Sequence, residues 1–401
     1  MQVLAKAGGR LFRKGSLTLV APDGSAQRLG SGEPSMTLRI LDSAYLPRLL
    51  LDPELALGEA YMEGAIALEG GDAYALFNLI YANIGFSTGL GVMRFGLYGR
   101  RMMRRLGRGK AILSARANVA HHYDLSDALY QRFLDADRQY SCAYFASPDD
   151  TLETAQDRKK RHIAAKLLLS PGQRVLDIGS GWGGLAAYLA GIAKVEVTGV
   201  TLSVEQHAFA LRRVLAPDAA GRVRFLLEDY RQHAGRYDRV VSVGMFEHIG
   251  AAQYDEYFRK IAALLEIGGV ALVHTIGRAD GPGAVNPWID KYIFPGGYLP
   301  ALSEILPSIE RAGLYVTDIE VLRLHYAQTL NAWRQRFQAN RAQVAALYDE
   351  RFCRMWEFYL AASEASFRRH GGLIVFQIQL SNRNDSVPFV RDYMLDWERA
   401  N

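Results

Sequence analysis

Four side chains stand where strands would deliver them to a ligand. Asp177 lies inside the short apolar run Val175, Leu176, Ile178, which reads as a strand buried on both faces. Glu247 and His248 follow the strand-like Tyr237–Val243, and His274 falls at the end of Val270–Thr275. In an open α/β sheet, ligands collect at the carboxyl ends of the strands, so a carboxylate and an imidazole from adjacent strands converge there. Such a pair can place or move a proton. Each residue also has an ordinary reading: His274 as a satisfied core histidine, Glu247 and His248 as polar groups at a helix entry, Tyr326 as structural. No spacing of the His-Glu-x-x-His kind supports a metal, and none is expected.

Directly after Asp177 comes a glycine turn. Residues 174–185 read RVLDIGSGWGGL, and an Ala- and Leu-rich helix, Leu185–Ala193, follows. Strand, glycine turn and helix together cradle a nucleotide-like ligand, because glycines admit close backbone approach and a helix start offers free N–H groups. Gly179, Gly181 and Gly184 satisfy the dinucleotide fingerprint. That reading also asks for an acid at the end of the second strand. Here Val195–Val200 ends in Thr201-Leu202-Ser203, with Glu205 already in the next helix. Asp177, two residues before Gly179, favours another ligand: Asp-x-Gly-x-Gly-x-Gly resembles motif I of class I S-adenosylmethionine (SAM) methyltransferases, whose acid holds the methionine end. A dinucleotide remains the alternative on this loop alone.

The surrounding pattern supplies the scaffold. Thr151 opens an imperfect capping box, with Thr154 in place of the usual acid, for a helix over Leu152–Leu169. From the glycine turn onward, strands and helices alternate: a helix over Val204–Leu215, a strand over Val223–Leu227, Tyr237–Val243, a helix over Tyr254–Leu265, a turn at Gly268-Gly269, then Val270–Thr275. Right-handed βαβ units of this kind predict an α/β, doubly wound, Rossmann-like sheet. Beyond it come the aromatic, turn-rich stretch Pro287–Pro300, a helix over Leu302–Ala312 and a strand over Val316–Leu324. An almost wholly helical Thr329–Arg368 and a last strand, Ile374–Leu380, complete the pattern. Upstream of 73, short apolar runs alternate with turns (Leu17–Val20, Pro22-Asp23-Gly24, Met36–Leu41) and with the helix-like Leu46–Leu51 and Leu55–Met62. This predicts a small α+β module for binding or oligomerisation.

Composition sets the bounds. The chain has 401 residues, 49% hydrophobic and 22% charged, which predicts an ordinary globular protein of two domains. Cys142 and Cys353 are the only cysteines, so no disulfide framework is expected. No apolar segment follows the early Lys6, Arg10, Arg13 and Lys14, so no signal peptide is expected and the cytoplasm is the default. The net charge of +5 is concentrated: eight basic residues and no acid lie between Arg94 and Arg116, which leaves the remainder mildly acidic. Before them, Ala73–Met93 carries no charge but is rich in Asn and Gly, a poor membrane span. An apolar stretch followed by a basic band fits an anionic lipid surface, and equally a core helix followed by a solvated linker. Nucleic acid is not expected, because nothing aromatic interleaves the arginines. The expected division is a lipid-binding or oligomerisation domain at 1–93, a basic helical linker at 94–116 and a catalytic domain at 117–401.

Taken in order, HHYDLSDALY, YSCAYF, VLDIGSGWGGLA, VTLSVEQ, EDYR, VSVGMFEHIG, HTIG and PWIDKYIFPGGYLP resemble the cyclopropane-fatty-acyl-phospholipid synthases, whose catalytic core the mycolic acid cyclopropane synthases share. The resemblance is close over about 116–401 and loose before it. It implies a class I SAM methyltransferase domain that transfers a methylene group from SAM to the cis double bond of unsaturated phospholipid acyl chains. Tyr140, Ser141, Asp177, Gly179, Gly181, Thr201, Leu202 and Gln206 would hold SAM, with Asp229 and Tyr230 near the adenine. A bicarbonate ion would act as general base, held by the backbone amides of Cys142 and Ile276 and by the side chains of Glu247, His274 and Tyr326. Tyr123 would lie beside the reacting carbon. Ser180 departs from the family, many of whose bacterial members have Cys there. The resemblance further implies a homodimer, attached peripherally to the inner face of the membrane. The alternatives are a C-methyltransferase giving methyl-branched or methylated polyunsaturated chains, and a small-molecule N-methyltransferase on the same core. The aromatic segments Trp288–Tyr298 and Trp333–Tyr359 would line an acyl tunnel or simply pack a core.

Overall fold

The computed structural model describes residues 12–83, 125–213, 215–369 and 372–401. Tyr123, the basic band at 94–116 and residues 84–93 of the apolar stretch lie outside the described residues.

Short apolar runs separated by turns give four strands: β1 (Ser16–Val20), β2 (Ala26–Gly30), β3 (Ser35–Ile40) and β4 (Ile66–Glu69), in the order β2–β1–β3–β4. β1 pairs antiparallel with β2 and parallel with β3. Helices α1 (Tyr45–Leu51), α2 (Pro53–Met62) and α3 (Ala73–Asn83) belong to the same module. Leu17, Leu38, Ile40, Ala60, Leu76 and Leu79 form its core. The sequence pattern reveals β1 and β3 but not β2, which buries only Leu29.

Next come α4 (Asp127–Phe133) and α5 (Leu152–Leu167), then β5 (Arg174–Ile178), α6 (Gly184–Ala193), β6 (Glu196–Thr201), α7 (Val204–Arg212), β7 (Val223–Leu227) and β8 (Tyr237–Val243). They are followed by α8 (Tyr254–Leu264), β9 (Leu265–Arg278), α9 (Pro287–Tyr292), α10 (Leu302–Arg311) and β10 (Tyr315–Val321). The chain ends with α11 (His325–Ala339), α12 (Arg341–Leu347), α13 (Glu350–Arg368), β11 (Leu373–Ser381) and α14 (Asp392–Ala400).

Seven strands form one sheet in the order β10–β11–β9–β8–β5–β6–β7. β5 pairs parallel with β6 and β8, and β8 pairs parallel with β9, while β10 and β11 are antiparallel. The sheet has a core on each face. Leu176 and Ile178 pack with Val240, Phe246 and Ile261 on one side. Val175 packs with Leu189, Val197, Val241 and Leu272 on the other. The expected doubly wound α/β sheet is therefore present.

One local expectation met an exception. Gly268-Gly269 is not a turn between elements but lies inside β9, where the pairing with β8 jumps from Tyr237↔Leu265 to Arg239↔Val270. A glycine is needed there: a Cβ on Gly269 would sit 2.9 Å from the Glu266 carbonyl oxygen. Thr329–Arg368 is almost wholly helical as expected, divided into three helices, and the last is started by Asp349, whose side chain accepts from the Phe352 amide at 2.6 Å. The Thr151 cap forms as expected, accepting from the Thr154 amide at 3.2 Å.

The chain forms two compact units. One comprises 1–108, 284–295 and 327–373; the other comprises 109–283, 296–326 and 374–401. In the first, Trp288 of α9 is fully buried against α2: a Cβ on Gly58 would sit 2.4 Å from its ring, and its Nε1 donates to Met62 Sδ at 3.1 Å. Removing so large a buried ring costs about 3–5 kcal/mol. Trp333, Phe337, Trp356 and Tyr359 are buried in the same unit. Of the two readings of these aromatics, core packing describes their placement. No helix among the described residues is long and apolar enough to cross a membrane.

Candidate active site

The glycine turn after β5 is shaped by steric need. Gly179 (φ +81°) and Gly183 (φ +82°) occupy left-handed backbone, and a Cβ would come within 2.9 Å of Met245 at the first and 2.5 Å of Phe225 at the second. At Gly184 a Cβ would meet Asp137 and Gln139 at 2.4 Å. Gly181 (φ +56°) differs, since a Cβ there would meet nothing within 4 Å. The amides of Gly179 and Ser180 both donate to the Val200 carbonyl, at 2.9 and 3.0 Å, which folds the turn across the end of β6.

Above this turn opens a cavity at the carboxyl ends of β5, β6 and β8. Asp177, Gly179, Gly181, Thr201, Leu202 and Gln206 line it from one side; Tyr140, Ser141, Asp229 and Tyr230 line it as well. All ten residues expected to hold the cofactor thus border one space. Thr201 Oγ1 donates to Gln206 Oε1 at 3.2 Å, and Ser203 caps α7 by accepting from the Gln206 amide. Asp229 is clasped by Arg231, whose Nε reaches its two oxygens at 2.9 and 3.1 Å. Tyr140 packs edge-on to Tyr130 with centroids 5.5 Å apart.

Asp177 is the electrostatic centre of the cavity. It is buried, its Oδ2 has no hydrogen-bond partner, and burial pushes its carboxyl up to about 7, partly opposed by the Lys159 ammonium. A buried acid with an orphaned oxygen calls for a cationic donor. Lys159 serves the neighbouring wall, donating to Gln139 Oε1 at 2.6 Å and Ser141 Oγ at 2.9 Å, and its own burial pushes it down to about 8.

The second expected group adjoins the cavity without lining it. Glu247 sits in a single helical turn after β8, between Met245 and His248, which both line the cavity. Its Oε1 accepts from the Ile276 amide at 2.6 Å, and its Oε2 has no hydrogen-bond partner. Burial pushes this carboxyl up to about 7 against the pull of the Ile276 amide, its own amide and the Thr275 hydroxyl. His274, two residues back on the same face of β9, is buried and held well below the usual histidine range by burial, so its ring is neutral. Cys142 is buried next to Ser141, and its Sγ donates to the Ala143 carbonyl. Tyr326 is buried at the start of α11. The adjoining His325 ties that start to the Tyr140–Phe145 segment, its Nδ1 accepting from the Phe145 amide at 3.0 Å. Glu247 is therefore held directly on the Ile276 amide, with His274 two residues back along the same strand. The Ile276 amide, expected to face an ion, is engaged by Glu247. Tyr123 lies outside the described residues.

The sequence did not point to Lys159, Gln139 or Gln377, whose Nε2 lies 3.1 Å from His274 Nδ1. A signal existed: Lys159, His162 and Lys166 recur on one face of α5, and all three are buried. A basic helix normally reads as solvated.

A seven-stranded sheet in this order, with a glycine turn and an acid-lined cavity at its carboxyl edge, defines a SAM-dependent methyltransferase of class I fold. Residues 111–378 match the family model described as mycolic acid cyclopropane synthetase, and residues 12–86 match a domain of unknown function. The chain belongs to the cyclopropane synthase family. It is 39% identical over 352 residues to the cyclopropane-fatty-acyl-phospholipid synthase of Escherichia coli, covering 84% of this chain and 86% of that protein. It is 38% identical over 384 residues to the Pseudomonas putida protein named "Probable fatty acid methyltransferase", covering 93% and 94%. The solved structure of mycolic acid cyclopropane synthase CmaA1 with SAH and CTAB superposes with a TM-score of 0.63 at 36% identity, covering 66% of this chain and 97% of that one.

Proposed function

We propose that this methyltransferase adds a methylene group across the cis double bond of an unsaturated acyl chain in membrane phospholipid, closing a cyclopropane ring, with bound bicarbonate as general base. The observation that carries the reading is the presence of two buried carboxyls, each with an oxygen that lacks a hydrogen-bond partner. Asp177 lines the cavity, Glu247 lies between two residues that line it, and Asp177 Oδ2 and Glu247 Oε2 are both buried without a hydrogen-bond partner. The first suits the ammonium of SAM and the second suits a small hydrogen-bonding oxyanion.

When bound, SAM supplies an electrophilic methyl group, which a weak neutral nucleophile such as an alkene requires. Asp177 would take the ammonium end, with Tyr140, Ser141, Gly179, Gly181, Thr201, Leu202 and Gln206 around it, and Asp229 and Tyr230 beside the adenine. When bound, bicarbonate supplies the basic oxygen for the proton lost from the new methyl group. Glu247 would orient that oxygen through Oε2, as an acceptor-only group fixed at its other end by the Ile276 amide. His274, neutral, would donate to it. Because Ile276 already serves Glu247, its amide reaches an ion only if Glu247 shares it. Tyr326, and Tyr123 if it lies where the family resemblance implies, would offer aromatic faces that stabilise a cation without capturing it. The basic band at 94–116 would bring the enzyme to the inner face of the membrane, as a homodimer.

The test incubates the protein with SAM and vesicles of monounsaturated phospholipid. The expected product gains one CH2, loses its vinyl protons and shows cyclopropyl protons. A gain of CH2 with vinyl protons retained contradicts the ring and supports a methyl-branched product, the outcome in keeping with the fatty acid methyltransferase relative. Turnover on anionic vesicles should fall with added salt; salt-independent turnover removes the surface role of the band.

A further inference from the structure

His274 is approached from behind by a line of buried polar groups that no motif marks. Gln377 projects from the neighbouring strand β11, with its Nε2 3.1 Å from His274 Nδ1. Its Oε1 accepts from Lys166 Nζ at 2.7 Å. Lys166 in turn pairs with Glu320 Oε2, which also meets His162 Nε2 at 2.6 Å. His162 Nδ1 contacts Glu398. Gln379, two residues on, donates to the Lys166 carbonyl at 2.5 Å and to Tyr393 Oη at 2.8 Å, pinning α5 to β11. Gln377, Lys166 and His274 are each at most 2% exposed.

This line has a direction. An ammonium has donors and no acceptor, so the Gln377 oxygen must face Lys166 and its NH2 must face His274. A flipped amide would set NH2 against NH3+ and leave the carbonyl facing the ring. The Gln377 amide therefore donates to Nδ1, and a neutral ring then carries its proton on Nε2. Glu320 keeps Lys166 charged, and Lys166 keeps Gln377 from turning.

We propose that Gln377, held by Lys166 and Glu320, is a positioning residue that fixes His274 as the Nε2–H tautomer, so that the ring offers a donor rather than a lone pair to the reacting centre. The inference rests on the reading of His274 as part of the oxyanion cradle. With an Nε2 lone pair facing an anion, the ring would repel what it is placed to hold.

The test is long-range 1H–15N NMR of the full-length protein labelled in histidine, with the His274 signals assigned by their loss in His274→Gln. The wild type should show a protonated Nε2 and an unprotonated Nδ1 at pH 7.5. A protonated Nδ1, or a doubly protonated ring, overturns the proposal. Gln377→Glu keeps the size and pairs with Lys166 even more strongly, but presents only acceptors to the ring. It should move the proton to Nδ1 and lower kcat on the order of 10²-fold, with SAM affinity and melting temperature close to wild type. Retention of Nε2–H with parental kcat in that variant overturns the proposal. Should Gln377→Glu melt early, Gln377→Met gives the second comparison: loss of the donor should yield a mixture of tautomers, and a pure Nε2–H signal contradicts the role. The two readings separate cleanly. A wild-type Nε2–H signal together with a fully active His274→Gln overturns the cradle, and with it any use for the tautomer, whereas an inactive His274→Gln with an Nδ1–H wild type leaves the cradle standing and removes Gln377.

Discussion

The two halves of the seven-stranded sheet hold their ligand-facing groups by opposite means. On the β5–β6–β7 side the work is done by backbone: glycines at left-handed φ, amides folded over the Val200 carbonyl, and one acid set into a strand. On the β8–β9–β11 side it is done by side chains buried against one another, from Glu247 on the Ile276 amide to His274 on Gln377 on Lys166. Backbone geometry tolerates little substitution but is specified locally. Buried polar chains are specified by partners far apart in sequence, and their strength in a low dielectric depends on every link being satisfied. The first half is suited to binding a large cofactor, the second to aiming a few atoms during chemistry.

This contrast breaks most visibly at Glu247. Glu247→Gln should lower kcat by about 10²–10⁴-fold while the SAM dissociation constant stays nearly unchanged, the pattern of a contact made mainly in the transition state. Paired kinetics and calorimetry read both quantities. An early-melting variant with proportionate loss of every activity would instead mark Glu247 as structural. Asp177→Asn should do the reverse: SAM affinity falls about tenfold or more, since a charge-assisted hydrogen bond is worth about 1.5–3 kcal/mol, and saturating SAM recovers most of the turnover. Calorimetric affinity equal to wild type contradicts the assignment.

The pH dependence sharpens the same comparison. Without ligand, Asp177 and Glu247 both titrate near 7, far above the value of about 4 in an unfolded chain. Between those limits the folded state binds more protons than the unfolded one, so stability is lost as pH rises from about 4.5 to about 7. Chemical denaturation of the ligand-free protein should show this decline, smaller in Asp177→Asn and in Glu247→Gln. SAM affinity should move the other way and strengthen as pH rises toward 7, because the ammonium pairs with the ionised Asp177. That slope should vanish in Asp177→Asn alone. The smallest effects come from the glycines. Gly183→Ala meets the Phe225 ring and should lower the melting temperature by several degrees. Gly181→Ala meets nothing and should cost about 1 kcal/mol from its φ, with a larger proportional loss in SAM affinity, since it lines the cavity.

What could be read from the sequence follows this division. β7 and β8 begin and end where their apolar patterns predict, and the Asp177–Gly184 turn announces its cavity because its chemistry lies in consecutive residues. The β9 irregularity escapes because Gly268-Gly269 reads locally as a turn between elements, while β9 continues on both sides of it with its pairing to β8 shifted. β11 is legible as the strand Ile374–Leu380, but the partners of its polar face are not. Gln377, Gln379 and Ser381 alternate with Phe376, Ile378 and Leu380, and all six are buried. The polar face meets Lys166 on α5, itself disguised as part of a basic, solvated-looking helix. The two local patterns complement each other only in three dimensions. Trp288 is a related case, since its partner Gly58 lies in the N-terminal module, where a helical glycine carries no signal of what it accommodates.

The central claim is that Glu247 holds a small external base rather than acting alone. The direct measurement is initial rate against bicarbonate concentration, in buffer stripped of carbon dioxide, with SAM affinity followed in parallel. Turnover should be low without bicarbonate and rise saturably on its addition, with the SAM dissociation constant constant throughout, and Glu247→Gln should recover far less of it. Full turnover in stripped buffer, unchanged by added bicarbonate, would contradict the account.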